Sequence, residues 1–168
     1  RVDTLPTANA GRDTTICKGD VVLLGVPPKV GNTYSWKPAT GIDNPAKSNP
    51  YASPIQTTLY TLTVTNPNGC VKTDSVVISL RNIAAKVSKD TSVCLGSSVQ
   101  LNAGGGDKYI WTPSAGLSNP TIANPISLPD SATRYKVTVS SGNCIDSAFV
   151  TVGIAPDPIA DAGKDTTI

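Results

Sequence analysis

The chain has 168 residues and a formal net charge of +2, with 14 basic and 12 acidic residues spread along it. That length fits one domain or two small ones. The even spread of charge gives neither a nucleic-acid stripe nor a polybasic membrane patch. No apolar run approaches the roughly 18 residues that a membrane helix needs, so neither nucleic-acid binding nor membrane insertion is expected. His, Met and Glu are absent, while Val, Ile, Thr, Ser, Asn, Gly and Pro abound. With helix formers scarce and β-branched residues common, the chain reads as all-β.

Taken in order, Pro-Thr-Ala-Asn-Ala-Gly at 6–11 reads as a short, semi-rigid linker leading into a first strand, A, at 13–17. Strand B follows at 21–24, after the turn Lys18-Gly19-Asp20, and strand C at 33–37 carries Trp36. The stretch 38–58 is rich in Pro and Asn, with poorly defined D and E strands. Strand F at 59–65 alternates cleanly: Tyr60, Leu62 and Val64 fall on one face and Thr61, Thr63 and Thr65 on the other. Such a period of two marks a strand with one face on a core and one in water. Strand G at 71–80 follows the turn Asn66-Pro67-Asn68-Gly69 and points Val76, Ile78 and Leu80 the same way.

The pattern then repeats. Asp13-Thr14-Thr15-Ile16-Cys17 returns as Asp90-Thr91-Ser92-Val93-Cys94 and begins again at Asp165. Trp36, Pro38, Gly41 and Tyr60 recur 75 positions later as Trp111, Pro113, Gly116 and Tyr135, and Cys70 recurs 74 later as Cys144. Self-similarity at a fixed period is the signature of a repeat architecture. The expected organisation is a linker at 1–8, one repeat at 9–82, a second at 83–155, and a linker with the start of a third repeat at 156–168. About seven short strands around a central Trp suggest Ig-like β-sandwiches stacked end to end. Trp36, Trp111, Tyr60, Tyr135, Leu62, Val137, Val64 and Val139 are the expected core.

Chemistry is scarce. Without His, the Ser-His-Asp and Cys-His arrangements are excluded, and the chain reads as non-enzymatic. The four cysteines, Cys17, Cys70, Cys94 and Cys144, form no CxxC pair, so disulfides in an oxidising compartment are preferred to zinc. No cofactor is expected. Calcium at the repeat junctions, where Asp13, Asp90 and Asp165 recur, is the sharper alternative to plain turn and capping roles for these aspartates, but no ligand-loop motif accompanies them. Gly104-Gly105-Gly106 reads as the B–C turn of the second repeat rather than a phosphate loop. The two Trp residues read as core rather than as sugar-stacking platforms. The Asn-Pro loops at 41–50 and 116–125 read as ordered crossovers, with a lateral contact surface as the alternative.

The series Ala-Asn-Ala-Gly-Arg-Asp (8–13), Cys-Lys-Gly-Asp (17–20), Tyr-Ser-Trp-Lys-Pro (34–38) and Tyr-Thr-Leu-Thr-Val-Thr-Asn-Pro-Asn-Gly-Cys (60–70) resembles the PKD-like and Ig-like repeats of very large Bacteroidota proteins. Those are typically exported by the type IX secretion system and include gliding-motility adhesins and surface filaments. The resemblance covers nearly the whole chain. It implies an extracellular, cell-surface location and a force-bearing repeat segment of a long adhesin or filament. The partners it implies are adjacent repeats of the same chain and, laterally, other copies in a fibre. It carries over no catalytic residue. A ligand- or carbohydrate-binding accessory module of a secreted enzyme is the alternative.

Strand direction in such a sandwich bears on the cysteines. Cys17 ends strand A and Cys70 opens strand G, which places them at opposite ends of one repeat, roughly 20 Å apart. A disulfide needs Cα atoms closer than about 7 Å. A bond stitching repeats, Cys17–Cys144, is therefore favoured. The intra-repeat pairs Cys17–Cys70 and Cys94–Cys144 stand as the alternative, to be restored by a shift in strand A.

Overall fold

The computed structural model describes residues 4–156. Among them every regular element is a strand. The chain divides between Asn82 and Ile83 into two compact units.

The first unit holds β1 (Thr14–Cys17), β2 (Val22–Leu23), β3 (Thr33–Lys37), β4 (Tyr51–Ala52), β5 (Thr58–Thr65) and β6 (Val71–Arg81). One layer is a four-stranded sheet in the order β1-β6-β5-β3, and β2 pairs with β4 in the other. β5 is antiparallel to both β3 and β6, with Trp36 opposite Leu62 and Tyr60 opposite Val76. The alternation read in the sequence is visible in burial: along β5, Tyr60, Leu62 and Val64 are buried and the threonines between them are partly open. With Trp36, Val76 and Ile78 from the same sheet they close on Leu24, Ala52 and partly buried Val22 from the other side.

The second unit holds β7 (Lys86–Val87), β8 (Thr91–Cys94), β9 (Val99–Gln100), β10 (Ala103–Gly104), β11 (Lys108–Thr112), β12 (Ile126–Ser127), β13 (Thr133–Ser141) and β14 (Cys144–Ala155). Its main sheet runs β8-β14-β13-β11, the same sequence of neighbours as in the first unit. β9 pairs with β12 as β2 pairs with β4. Its core gathers Leu101, Trp111, Tyr135, Val137, Val139, Val150 and Val152.

Several expectations need correction. Of the D and E strands, the first unit forms only the two residues of β4, joined by an isolated bridge from Ile42. Prolines explain this, since each lacks an amide and cannot sit inside a ladder. The segment 6–11 is no linker. Pro6 and Ala10 are buried, the Ala10 amide donates to Asp74 Oδ2 at 2.8 Å, and its carbonyl accepts from the Gly25 amide at 3.0 Å. Small side chains at alternate positions let that segment lie against the sandwich. The second linker and the recurrence at Asp165 fall outside the described residues. Gly104 is also not in a turn. It pairs with Lys86 in a short ladder, and the bend occupies 105–107, where Gly105 takes φ 104°.

Candidate functional site

The eight expected core residues all lie inside their own unit, at 0–2% exposure. Each indole is tied by its ring nitrogen: Trp36 Nε1 donates to the Lys47 carbonyl at 3.0 Å, and Trp111 Nε1 to the Ile122 carbonyl at 2.9 Å. An indole with its N–H satisfied inside is a packing anchor; neither ring offers a face to a sugar. Each buried tyrosine reaches back twenty residues. The Tyr60 hydroxyl donates to the Thr40 carbonyl at 2.9 Å, and that of Tyr135 to the Ala115 carbonyl at 3.2 Å. Burial pushes the Tyr60 hydroxyl above its ordinary pKa, against a smaller opposing hydrogen bond with Thr58.

These bonds organise the Asn-Pro loops. In the first unit the Trp36 amide donates to the Pro45 carbonyl at 2.9 Å, and in the second the Trp111 amide to the Pro120 carbonyl at 2.8 Å. Asn44 Oδ1 accepts from the Ala46 amide, and Asn119 Oδ1 from the Thr121 amide, closing the same side-chain turn. The Leu24 and Leu101 amides donate to the Pro50 and Pro125 carbonyls, both at 2.9 Å. Gly41 and Gly116 turn the chain at φ 78° and 73°, where a Cβ would press on the Tyr60 or Tyr135 hydroxyl and on facing backbone. The loop also differs in chemistry between units. The Tyr51 amide is held by Asp43 Oδ1, whereas the equivalent Ile126 amide is held by Ser118 Oγ. Lys47 lies 3.1 Å from Asp43, and this hydrogen bond, with those from backbone amides, keeps the Asp43 carboxyl below its ordinary pKa. Tyr51 itself, in β4, is exposed.

The aspartates at strand starts are latches. Asp13 Oδ1 accepts from the Val77 amide of β6, and Asp90 Oδ1 from the Thr151 amide of β14, both at 2.8 Å. Asp74 and Asp146 accept from the Ala10 and Ala85 amides, again both at 2.8 Å. The bond from the Ala85 amide is the main reason the Asp146 carboxyl titrates below its ordinary range. Among the described residues no three acidic, Cys or His side chains gather where they could hold a metal ion. A cleft of about 210 Å³ in the first unit is lined by Val26, Pro27, Lys29 and Tyr34, with no carboxylate. An open one of about 450 Å³ in the second lies beside Leu117, Ile126 and Leu128. Neither pairs an acid with a base or a nucleophile.

The cysteines carry the chemistry that remains. Cys17 and Cys144 are disulfide-bonded, while Cys70 and Cys94 are free thiols, half-buried and exposed respectively. β1 runs parallel to β6 with Cys17 opposite Arg81, at the far end of the strand that Cys70 precedes. Eleven residues of extended chain at about 3.3 Å each separate the two by roughly 36 Å. The separation exceeds the roughly 20 Å expected because β6 runs for 11 residues. Likewise Cys94 lies opposite Ala155, at the other end of β14 from Cys144, again roughly 36 Å away. Neither intra-repeat pair can form within the reach of a disulfide. The surroundings of the four positions match in pairs. The Asp20 amide donates to the Cys17 carbonyl at 3.0 Å, and the Ser97 amide to the Cys94 carbonyl at 2.9 Å. Cys144 opens β14 directly opposite Ser141, after a two-residue turn, whereas Cys70 is the last residue of the five-residue connection ahead of β6.

No protein-family model matches the chain, and no curated protein matches it. Among solved structures it is similar to the two-domain IG1+IG2 fragment of DIP-gamma, at 12% identity and a TM-score of 0.53, covering 93% of this chain and all of that one. It also aligns with hemolin, an insect immune protein, at 13% identity and a TM-score of 0.47, over 87% of this chain and 46% of that one. Identities this low speak to fold alone. With the strand order above, the likeness to the DIP-gamma fragment makes the fold an all-β, Ig-like sandwich.

Proposed function

We propose that this chain is a force-bearing structural segment of a long, secreted cell-surface adhesin or filament, built from tandem repeats stitched by a Cys17–Cys144 disulfide. One observation carries the reading: Cys17 and Cys144 are oxidised although neither can reach the other cysteine of its own unit. Each lies where the polypeptide passes from one repeat to the next. Cys17 ends opposite Arg81, one residue before the first unit closes at Asn82. Cys144 lies two residues from Asp146, whose carboxylate holds the Ala85 amide at the start of the second unit.

A disulfide at these positions changes how tension travels. Residues 18–143 lie in the closed loop, so pulling on the two ends loads the cross-link before the cores. The bond supports an oxidising, extracellular location, and the buried indoles and hydrogen-bonded aspartates support a scaffold rather than an enzyme. Kinship with the PKD-like repeats of type IX-exported Bacteroidota proteins rests on the motif series at 8–70. Lateral association into a fibre is part of the same proposal.

Single-molecule pulling from the termini tests it. Reduction of the bond should release roughly 430 Å of additional contour, at about 3.4 Å for each residue in the loop. Equal unfolding lengths in oxidised and reduced chains would remove the force-bearing role.

A further inference from the structure

We infer that Cys94 and Cys70 are complementary open halves of the cross-link that Cys17 and Cys144 close, so that Cys94 of one copy is built to take Cys70 of another. The inference rests on the Cys17–Cys144 pairing proposed above. Cys94 has the place of Cys17: last residue of its strand, parallel to the final strand of its unit, with its carbonyl capped by the same turn. Cys70 corresponds to Cys144 in sequence and stands at the same hairpin, as the last residue of the connection into β6 where Cys144 is the first residue of β14. The equivalent positions are oxidised and these two are reduced.

Two further observations point the same way. Where the chain enters the first unit it lies beside Cys70: Asn66 Nδ2 donates to the Thr4 carbonyl at 3.1 Å, while Asn66 Oδ1 accepts from the Cys70 amide at 2.9 Å. Where the chain leaves the second unit it lies beside Cys94, which faces Ala155 in the ladder. A repeat approaching from either direction therefore meets a thiol.

The bond needs an oxidant, and a small-molecule disulfide such as oxidised glutathione suffices. The Cys94 thiolate attacks it, forming a mixed disulfide and releasing one reduced glutathione. The Cys70 thiolate of the second copy then attacks the protein sulfur of that mixed disulfide and displaces the second glutathione. Two thiols lose two protons and two electrons, and one glutathione disulfide becomes two thiols.

The test mixes two full-length variants, Cys94→Ser, which keeps Cys70, and Cys70→Ser, which keeps Cys94, in a glutathione redox buffer. Circular dichroism first establishes that each folds like the parent. Complementary halves give the Cys70–Cys94 heterodimer in about tenfold excess over either homodimer, the ratio expected when the matched junction is favoured by about 1.4 kcal/mol. Dimers in the proportions of random encounter, or no dimer, overturn the inference. Non-reducing peptide mapping of the same samples separates it from the reading beneath it. If Cys17–Cys144 is present and the heterodimer is not favoured, only the present inference fails. If Cys17–Cys144 is missing, the stitched repeat fails too.

Discussion

Removing one hydroxyl from each core tyrosine should cost the two units different amounts. In the first unit the Tyr60 hydroxyl has one backbone acceptor, the Thr40 carbonyl at 2.9 Å, its side-chain partner Thr58 is partly open to water, and Ala52 of β4 takes the place that Ser127 has in β12. Thr40 is an exposed residue, so its carbonyl can turn to water, and Tyr60→Phe should cost about 1 kcal/mol. In the second unit the Tyr135 hydroxyl donates to Ala115 and also accepts from Ser127 Oγ at 3.1 Å. Ser127 is fully buried. The carbonyl of exposed Ala115 can turn to water as that of Thr40 does, but Tyr135→Phe strands the buried Ser127 hydroxyl and should cost about 2–4 kcal/mol, the increment being the desolvation penalty of that group. Replacing Ser127 by Ala in the Tyr135→Phe background removes the stranded hydroxyl and should restore about 1–2 kcal/mol. Native-state hydrogen exchange measures each unit separately, through the core amides of β5 and β13. Equal losses for the two tyrosine variants, or no recovery on adding Ser127→Ala, would refute the claim that Ser127 depends on Tyr135.

Three other outcomes follow from the same geometry. Gly25 has φ 65°, and a Cβ there would run into the Ser48 carbonyl, so Gly25→Ala should destabilise the first unit by about 3 kcal/mol or more, measured by denaturant titration. Asp74→Ala leaves the buried Ala10 amide without its acceptor. It should cost about 1–3 kcal/mol and raise hydrogen exchange over residues 6–11. Asp146 titrates below its ordinary pKa because the Ala85 amide favours the charged form. Its contribution to stability is therefore present at neutral pH and is lost as pH falls through the depressed value, below about pH 4. Asp146→Asn keeps an oxygen acceptor without a titrating proton, so the variant should lose less stability than the parent between pH 5 and pH 2, about the range over which a carboxylate takes up its proton. Acid denaturation curves that superimpose would show that the latch does not titrate with folding.

How much of this was legible beforehand depended on whether side-chain pattern or backbone geometry set the outcome. The long strands β5 and β13 could be read because their alternation is written directly in apolar and polar residues, and burial follows it; in β6 and β14 it does so only around Val76 and Ile78 and around Val150 and Val152. The loop at 41–50 could be read as an ordered crossover but not in its path, because the Pro45 and Pro50 carbonyls that fix it accept from amides distant in sequence. No periodicity reports such bonds. The segment 6–11 was misread for a related reason. Pro, Ala, Asn and Gly look like linker composition, yet Pro6 and Ala10 are small enough to lie flat on the sandwich once Asp74 supplies the missing acceptor. The cysteines occupied middle ground. Strand direction alone made intra-repeat bonding unfavourable, and the parallel register of β1 on β6 turned that preference into a separation of roughly 36 Å, about five times what a disulfide spans. In each unit the parallel pairing of a short first strand with a long last one carries one cysteine to one end of the sheet while the hairpin keeps the other at the opposite end. Any sequence change that shortened β6 without moving β1 would bring the two within one repeat closer and weaken the case for a bond between repeats.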